Sequence, residues 1–233
     1  MTFTIMESKF PTHLLQDERL RVQVEWLLPT VEDLWSRVQQ RAAPLVARRI
    51  AIAGIKDGDG ASTIAVAFAH FLWRRLGKRV LLIETDLRKP SLEKMGLVPE
   101  GSLGVLGVLD GDCDLHQAIV QADPLGFSVL PAGRAAASPA TMMTETNLGV
   151  MCLKLNPLFD YMVLDCPSLH GAPEARIPIS ASESVVTVVR AGSATPELTA
   201  HWLAMLGHYG GTIGAVCMNG VKSPLPGWLR RWF

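Results

Sequence analysis

The chain has 233 residues, enough for one α/β domain with short extensions. Its 22 basic and 22 acidic side chains cancel, and no basic stripe runs through it, which argues against a nucleic-acid partner. Cys113, Cys152, Cys166 and Cys217 are widely spaced and form no CxxC pair, so no zinc site or disulfide framework is expected, and reduced thiols suit the cytoplasm.

Glu7 and Lys9 interrupt the N-terminus before any apolar core forms, so no leader is expected. Residues 1–30 show no clear period. Residues 31–40 read as a helix with Leu34, Trp35 and Val38 on one side, ended by Pro44. Residues 1–45 are therefore expected to be an N-terminal extension. The main domain is expected over 46–222.

That domain opens with a short apolar strand from Arg49, a glycine-rich turn, and a helix starting near Ser62. Ile64, Ala65, Phe68, Phe71 and Leu72 line one helix face, and Gly77 is placed to end it. An apolar run over 79–86 closes in the acids Glu84 and Asp86. Short helices are expected over 102–109 and 114–121, a strand over 127–130 and a helix over 141–155. A strand over 161–165 ends in Asp165. Then come a strand over 184–189, a helix over 196–209 and a strand over 212–218. The stretch from Leu198 to Val221 has no charged residue, but His201, His208 and Gly210-Gly211 divide it into helix, break and strand rather than a membrane span. Apolar strands alternating with helices predict an α/β fold of three layers, with a mainly parallel sheet covered by helices on both faces.

The turn Gly54-Ile55-Lys56-Asp57-Gly58-Asp59-Gly60-Ala61-Ser62-Thr63 has the strand–turn–helix layout of a phosphate-binding loop. Glycines allow backbone N–H groups to point inward, and the helix N-terminus adds partial positive charge. The motif asks for Gly-Lys-Ser/Thr, but here it reads Gly60-Ala61-Ser62, so the amine that should reach the phosphates is missing. Carboxylates just past buried strands, Asp86 and Asp165, are placed to hold magnesium beside phosphates, with the Ser62 hydroxyl as a further ligand.

Several segments resemble the bacterial tyrosine autokinases, cytoplasmic domains or subunits of the polysaccharide co-polymerases that control capsule and exopolysaccharide chain length. Leu82-Ile83-Glu84-Thr85-Asp86-Leu87-Arg88-Lys89-Pro90 is similar to their second acidic motif, and Asp160 to Pro167 to their third. Leu130-Pro131-Ala132-Gly133, with Pro139 beyond it, resembles a further segment at its usual spacing. Val188 to Gly192 and Gly214 to Gly220 resemble the closing segments. The resemblance implies a P-loop NTPase-like fold that takes ATP or ADP with magnesium. Asp86 and Asp165 would be the catalytic carboxylates. Ser62, Asp86 and Asp165 would be the magnesium ligands. Lys56, Gly58, Gly60, Ser62, Thr63 and Arg88 would contact the nucleotide. It also implies a membrane co-polymerase partner, a homo-oligomer, and a cytoplasmic location, peripheral at the inner membrane through that partner.

The departures point to a degenerate member. The loop lysine is Ala61, and the first acid of the second motif, Asp in the family, is Glu84. One extra methylene shifts a carboxylate by about an ångström, enough to spoil in-line geometry. The family's oligomerisation helix carries Glu, Arg and Arg where this chain has Val31, Leu34 and Arg37. The tyrosine-rich tail is absent, and the only tyrosines are Tyr161 and Tyr209. Residues 223–233 instead form a segment rich in tryptophan and arginine. Two other readings stay open: an active ATPase of the partitioning and Min type, with Lys56 as its early loop lysine, and a scaffold that binds no nucleotide.

Overall fold

A computed structural model describes residues 3–5, 16–42, 47–133 and 143–221. The elements, in order, are β1 (Phe3–Ile5), α1 (Gln16–Ala42), β2 (Arg49–Gly54), α2 (Ala61–Leu76), β3 (Val80–Glu84), α3 (Gly104–Asp110), β4 (Val120–Gln121) and β5 (Ser128–Leu130). They continue with α4 (Glu145–Leu155), β6 (Tyr161–Asp165), a short 3-10 turn (Pro173–Ala175) and α5 (Arg176–Ser180). β7 (Ser184–Arg190), α6 (Pro196–His208) and β8 (Ile213–Asn219) complete the fold. The sheet order is β1-β8-β7-β2-β6-β3-β5-β4. Among the described residues only the β4–β5 pair is antiparallel.

The expected three layers are present. In β2, Ile50 and Ile52 face one apolar cluster with α1 and α2, while Ala51 and Ala53 face the other with α4, α5 and α6. In β3, Val80 and Leu82 alternate in the same way with Leu81 and Ile83. Successive strand residues point to opposite faces, so a sheet covered on both sides needs an apolar residue at every position.

α2 runs between two left-handed glycines, Gly60 at φ 95° and Gly77 at φ 62°. The Gly77 N–H bonds the carbonyls of Leu72 and Trp73, which satisfies acceptors that the helix end leaves open.

Two expectations fail locally. The helix expected over 31–40 is longer, beginning at Gln16 and running through Pro29. Val24, Leu27, Leu28, Val31, Leu34 and Val38 are buried against α2 and β8, and Trp35 meets Phe68 and Tyr161 edge to face. The helix expected over 114–121 is instead a turn followed by β4, which pairs with β5 through Val120 and Gln121. The Gln117 side chain accepts from the Asp114 N–H and closes that turn, and Val120 and Gln121 then pair with β5. α4 starts at Glu145, where the Thr144 hydroxyl caps the Asn147 N–H at 3.1 Å. Pro44, Pro139, residues 141–142 and the segment 223–233 lie outside the described residues. Among the described residues no helix is long and apolar enough to cross a membrane.

Candidate functional site

Parallel strands bring their C-terminal ends to one edge of the sheet, where ligands of doubly wound folds collect. There the loop after β2, the N-terminus of α2 and the loops after β3 and β6 enclose a cleft of about 310 Å3. Lys56, Gly58, Gly60, Ser62, Thr63 and Asp86, all singled out from the sequence, line it. Asp165, at the end of β6, is not among the lining residues, although Ser62, which lines the cleft, acts on its carboxyl. Arg88 is not among the lining side chains, because its Nε pairs with Glu174 at 2.5 Å and its Nη2 bonds the Gly171 carbonyl at 3.3 Å.

The glycine loop is held from behind. Asn219, at the end of β8, donates from Nδ2 to the Asp59 carbonyl at 2.8 Å. A Cβ at Gly60 would come within 2.3 Å of that nitrogen, and the positive φ there disfavours any side chain, so this glycine is required twice over. Asp59 folds inward and accepts the Lys56 N–H at 2.9 Å, leaving its other oxygen buried without a partner. The Lys56 ammonium donates to the Ser193 carbonyl at 2.8 Å, beyond β7. Ala61 opens α2 with a methyl group where the motif places an amine.

The carboxylates divide by environment. Asp165 is 2% exposed, and its Oδ1 has no hydrogen-bond partner. Burial, reinforced by the charges of Glu84 and Asp86, pushes it well above the usual carboxylate range, against the Ser62 hydrogen bond. Asp86 closes a tight turn, accepting the N–H groups of Arg88 at 3.2 Å and Lys89 at 2.9 Å. Glu84 is not among the residues that line the cleft. Its Oε1 accepts the N–H groups of Ser91 at 2.5 Å and Leu92 at 2.9 Å, and its Oε2 that of Ala132 at 3.0 Å. It thereby staples the loop after β3 to the Leu-Pro-Ala-Gly segment. Burial pushes the neighbouring Cys166 thiol strongly up, so no thiolate forms there.

Three residues at the mouth were not singled out from the sequence. Asp57, on the glycine loop, accepts from the Lys89 ammonium and the Ser168 hydroxyl, which joins the loops after β2, β3 and β6. These hydrogen bonds hold Asp57 below the ordinary carboxylate range. Asp57 and Lys89 both fall inside recognisable motifs, but their pairing spans more than thirty positions and no spacing rule signals it.

A glycine loop on a helix N-terminus, with carboxylates at two neighbouring strand ends, defines a P-loop NTPase-like protein. The family model described as AAA domain matches residues 47–197, and the chain belongs to that family. Among curated relatives, the tyrosine-protein kinase CpsD of Streptococcus agalactiae is 27% identical over 143 residues, 61% of this chain and 62% of CpsD. The succinoglycan biosynthesis transport protein ExoP of Rhizobium meliloti is 29% identical over 162 residues, 68% of this chain and 20% of ExoP. The match thus leaves more than a third of CpsD and most of ExoP uncovered.

Among solved structures, the kinase domain of Escherichia coli tyrosine kinase ETK superposes with a TM-score of 0.84 at 16% identity, covering 97% of this chain and 92% of that one. The septum site-determining protein MinD of Pyrococcus horikoshii, in complex with Mg-ADP, gives 0.64 at 22% identity, covering 79% and 76%. The chain is therefore similar to bacterial tyrosine kinases, with Min-type proteins as more distant structural neighbours.

Proposed function

We propose that this chain is a nucleotide-binding but catalytically silent relative of the bacterial tyrosine kinases, acting in exopolysaccharide or capsule assembly through a membrane co-polymerase. The observation that carries this reading is an assembled phosphate cleft whose lysine position is Ala61. The lysine normally meets charge that develops on the transferred phosphoryl group, so its loss weakens the transition state more than the bound nucleotide. Glu84 supports the same reading, because its carboxylate is engaged by three backbone N–H groups and it is not among the residues that line the cleft.

The remaining groups fit a magnesium nucleotide. Asp165 keeps a buried oxygen without a partner beside Ser62, and α2 presents its N-terminus to the cleft. Ser62, Asp86 and Asp165 would hold magnesium, which neutralises phosphate charge when bound. Among the described residues no cluster of three or more His, Cys, Asp or Glu side chains is arranged to hold a metal ion, so magnesium would arrive with the phosphates. Gly58, Gly60 and Thr63 would offer backbone contacts. The main domain is taken as 46–222, with a peripheral inner-membrane location and self-association following from the same reading.

Calorimetry with magnesium-ATP tests it. Wild type should bind weakly, and Ala61→Lys should bind about ten- to a hundredfold more tightly, one charge-assisted hydrogen bond being worth about 1.5–3 kcal/mol. Incubation with magnesium-ATP should add no phosphate by intact mass. Tyr161 sits in β6 against Trp35, and Tyr209 caps α6. Phosphate on either residue sinks the silent-kinase reading. Lys56 lines the cleft and leaves the partitioning-type reading a test of its own. Robust turnover that Lys56→Ala abolishes would establish it.

A further inference from the structure

We propose that Lys89 is the phosphate-binding cation of this cleft, held on Asp57 when no nucleotide is present and transferred to a phosphate oxygen of a bound nucleoside polyphosphate. The inference rests on the nucleotide reading above and assigns the charge that Ala61 cannot supply.

The cleft is lined by two cations, Lys56 and Lys89, and by three acids, Asp57, Asp59 and Asp86. A polyphosphate entering it needs at least one mobile ammonium. Lys56 is poorly suited, since its backbone N–H is bonded to Asp59 and its ammonium is drawn away to the Ser193 carbonyl. Lys89 has the opposite character. It projects from the loop after β3 to the glycine loop itself, where it pairs with Asp57. Its side chain is 65% exposed and that of Asp57 55%, and an exposed pair of this kind is easily exchanged.

The exchange has a stated order of charges. A polyphosphate carries several negative charges and outcompetes a single solvated carboxylate for the ammonium. Asp57 does not become an orphan when Lys89 leaves, because the Ser168 hydroxyl still donates to it. The Asp86 turn fixes the Lys89 backbone through its N–H at 2.9 Å, so the side chain swings from a held anchor. Asp57 thus acts as a resting partner that keeps Lys89 over the cleft, and no proton changes place.

The test is equilibrium binding of magnesium-ATP and of adenosine to the full chain, at low salt, with melting temperature as the control for folding. Wild type should bind magnesium-ATP more tightly than adenosine. Lys89→Met should weaken magnesium-ATP about ten- to a hundredfold and leave adenosine unchanged. Asp57→Asn should tighten magnesium-ATP a few-fold.

A field effect of removing any positive charge is separated by a double-mutant cycle. If both amines serve the same phosphates, Lys89→Met should have a smaller effect in the Ala61→Lys background than in wild type. Equal effects in the two backgrounds overturn the proposal. So does unaltered magnesium-ATP binding by Lys89→Met, although the nucleotide reading then survives. If wild type binds no magnesium-ATP and Ala61→Lys does, both fall together.

Discussion

The two edges of the sheet treat their carboxylates differently. At the edge where β2, β3, β6 and β7 begin, each acid meets arginine or backbone N–H groups. Asp160 accepts the Arg79 N–H at 2.9 Å and its guanidinium at 2.9 Å. Glu183 accepts the Arg48 N–H at 3.0 Å, the Arg49 N–H, and the Arg49 Nε at 2.8 Å. At the opposite edge Asp59 and Asp165 each keep one buried oxygen without a partner. Leaving a buried polar oxygen unpaired costs about 1–3 kcal/mol, so a fold keeps such groups where a ligand completes them. The contrast separates an edge whose acids are paired within the fold from one where two buried carboxylate oxygens have no hydrogen-bond partner.

Glu84 is buried on the site edge with both oxygens hydrogen-bonded, and breaking it should have the largest effect. Its buried carboxylate serves three backbone N–H groups on two segments. Glu84→Ala leaves all three unmet and should destabilise the fold by about 3 kcal/mol or more. Chemical denaturation should show it as a lower midpoint. Glu84→Asp, the residue of the kinase family, is one methylene shorter and should lose part of the reach to Ala132. An unchanged midpoint in both variants would return Glu84 to the cleft.

Glu84 also marks how far the sequence reaches. The central strands are legible because both faces are buried, and an unbroken apolar run of this length has few other outcomes. The glycine loop is legible because its chemistry is local. The partners of Glu84 are not, since Ala132 lies 48 positions away and only the folded β5 brings it near. The pairing of Asp57 with Lys89 is hidden for the same reason. The start of α1 is obscured by Pro29, which breaks the local propensity although burial of Val24, Leu27 and Leu28 against α2 and β8 carries the helix through it. The β4 segment is misread because its two residues become a strand only by pairing with β5.

Asp165 sharpens the comparison at intermediate size. Its pKa is raised in the fold, so folding favours the protonated form. That contribution is complete below the ordinary carboxylate range and is lost as pH rises through the raised value. Wild type should therefore lose melting temperature as pH increases, whereas Asp165→Asn should be flatter and should melt higher at alkaline pH. A difference of about 1 kcal/mol corresponds to about 2–4 °C in a domain of this size. Magnesium would reverse the preference by favouring the ionised form. Parallel profiles for the two proteins would mean that Asp165 does not feel its burial.

The smallest expected effect lies at the closed edge, and its sign is opposite. Asp160 is lowered to about 2, first by the hydrogen bond from the Arg79 guanidinium and next by the Arg79 N–H. A lowered carboxylate contributes stability that is present above its ordinary value near 3.8 and lost as pH falls towards 2. Arg79→Met removes the guanidinium but leaves the backbone N–H, so Asp160 should move only part of the way back. The Arg79 side chain is 61% exposed, and solvent screens most of the pair. The melting temperature should drop by no more than about 1–3 °C at neutral pH. The difference from wild type should shrink as pH is lowered from about 4 to 2, where about half of Asp160 is protonated in wild type. Carboxylate titration by NMR reads the same shift directly. A loss that persists unchanged at pH 2 would assign the effect of Arg79 to the packing of its aliphatic stem rather than to its charge.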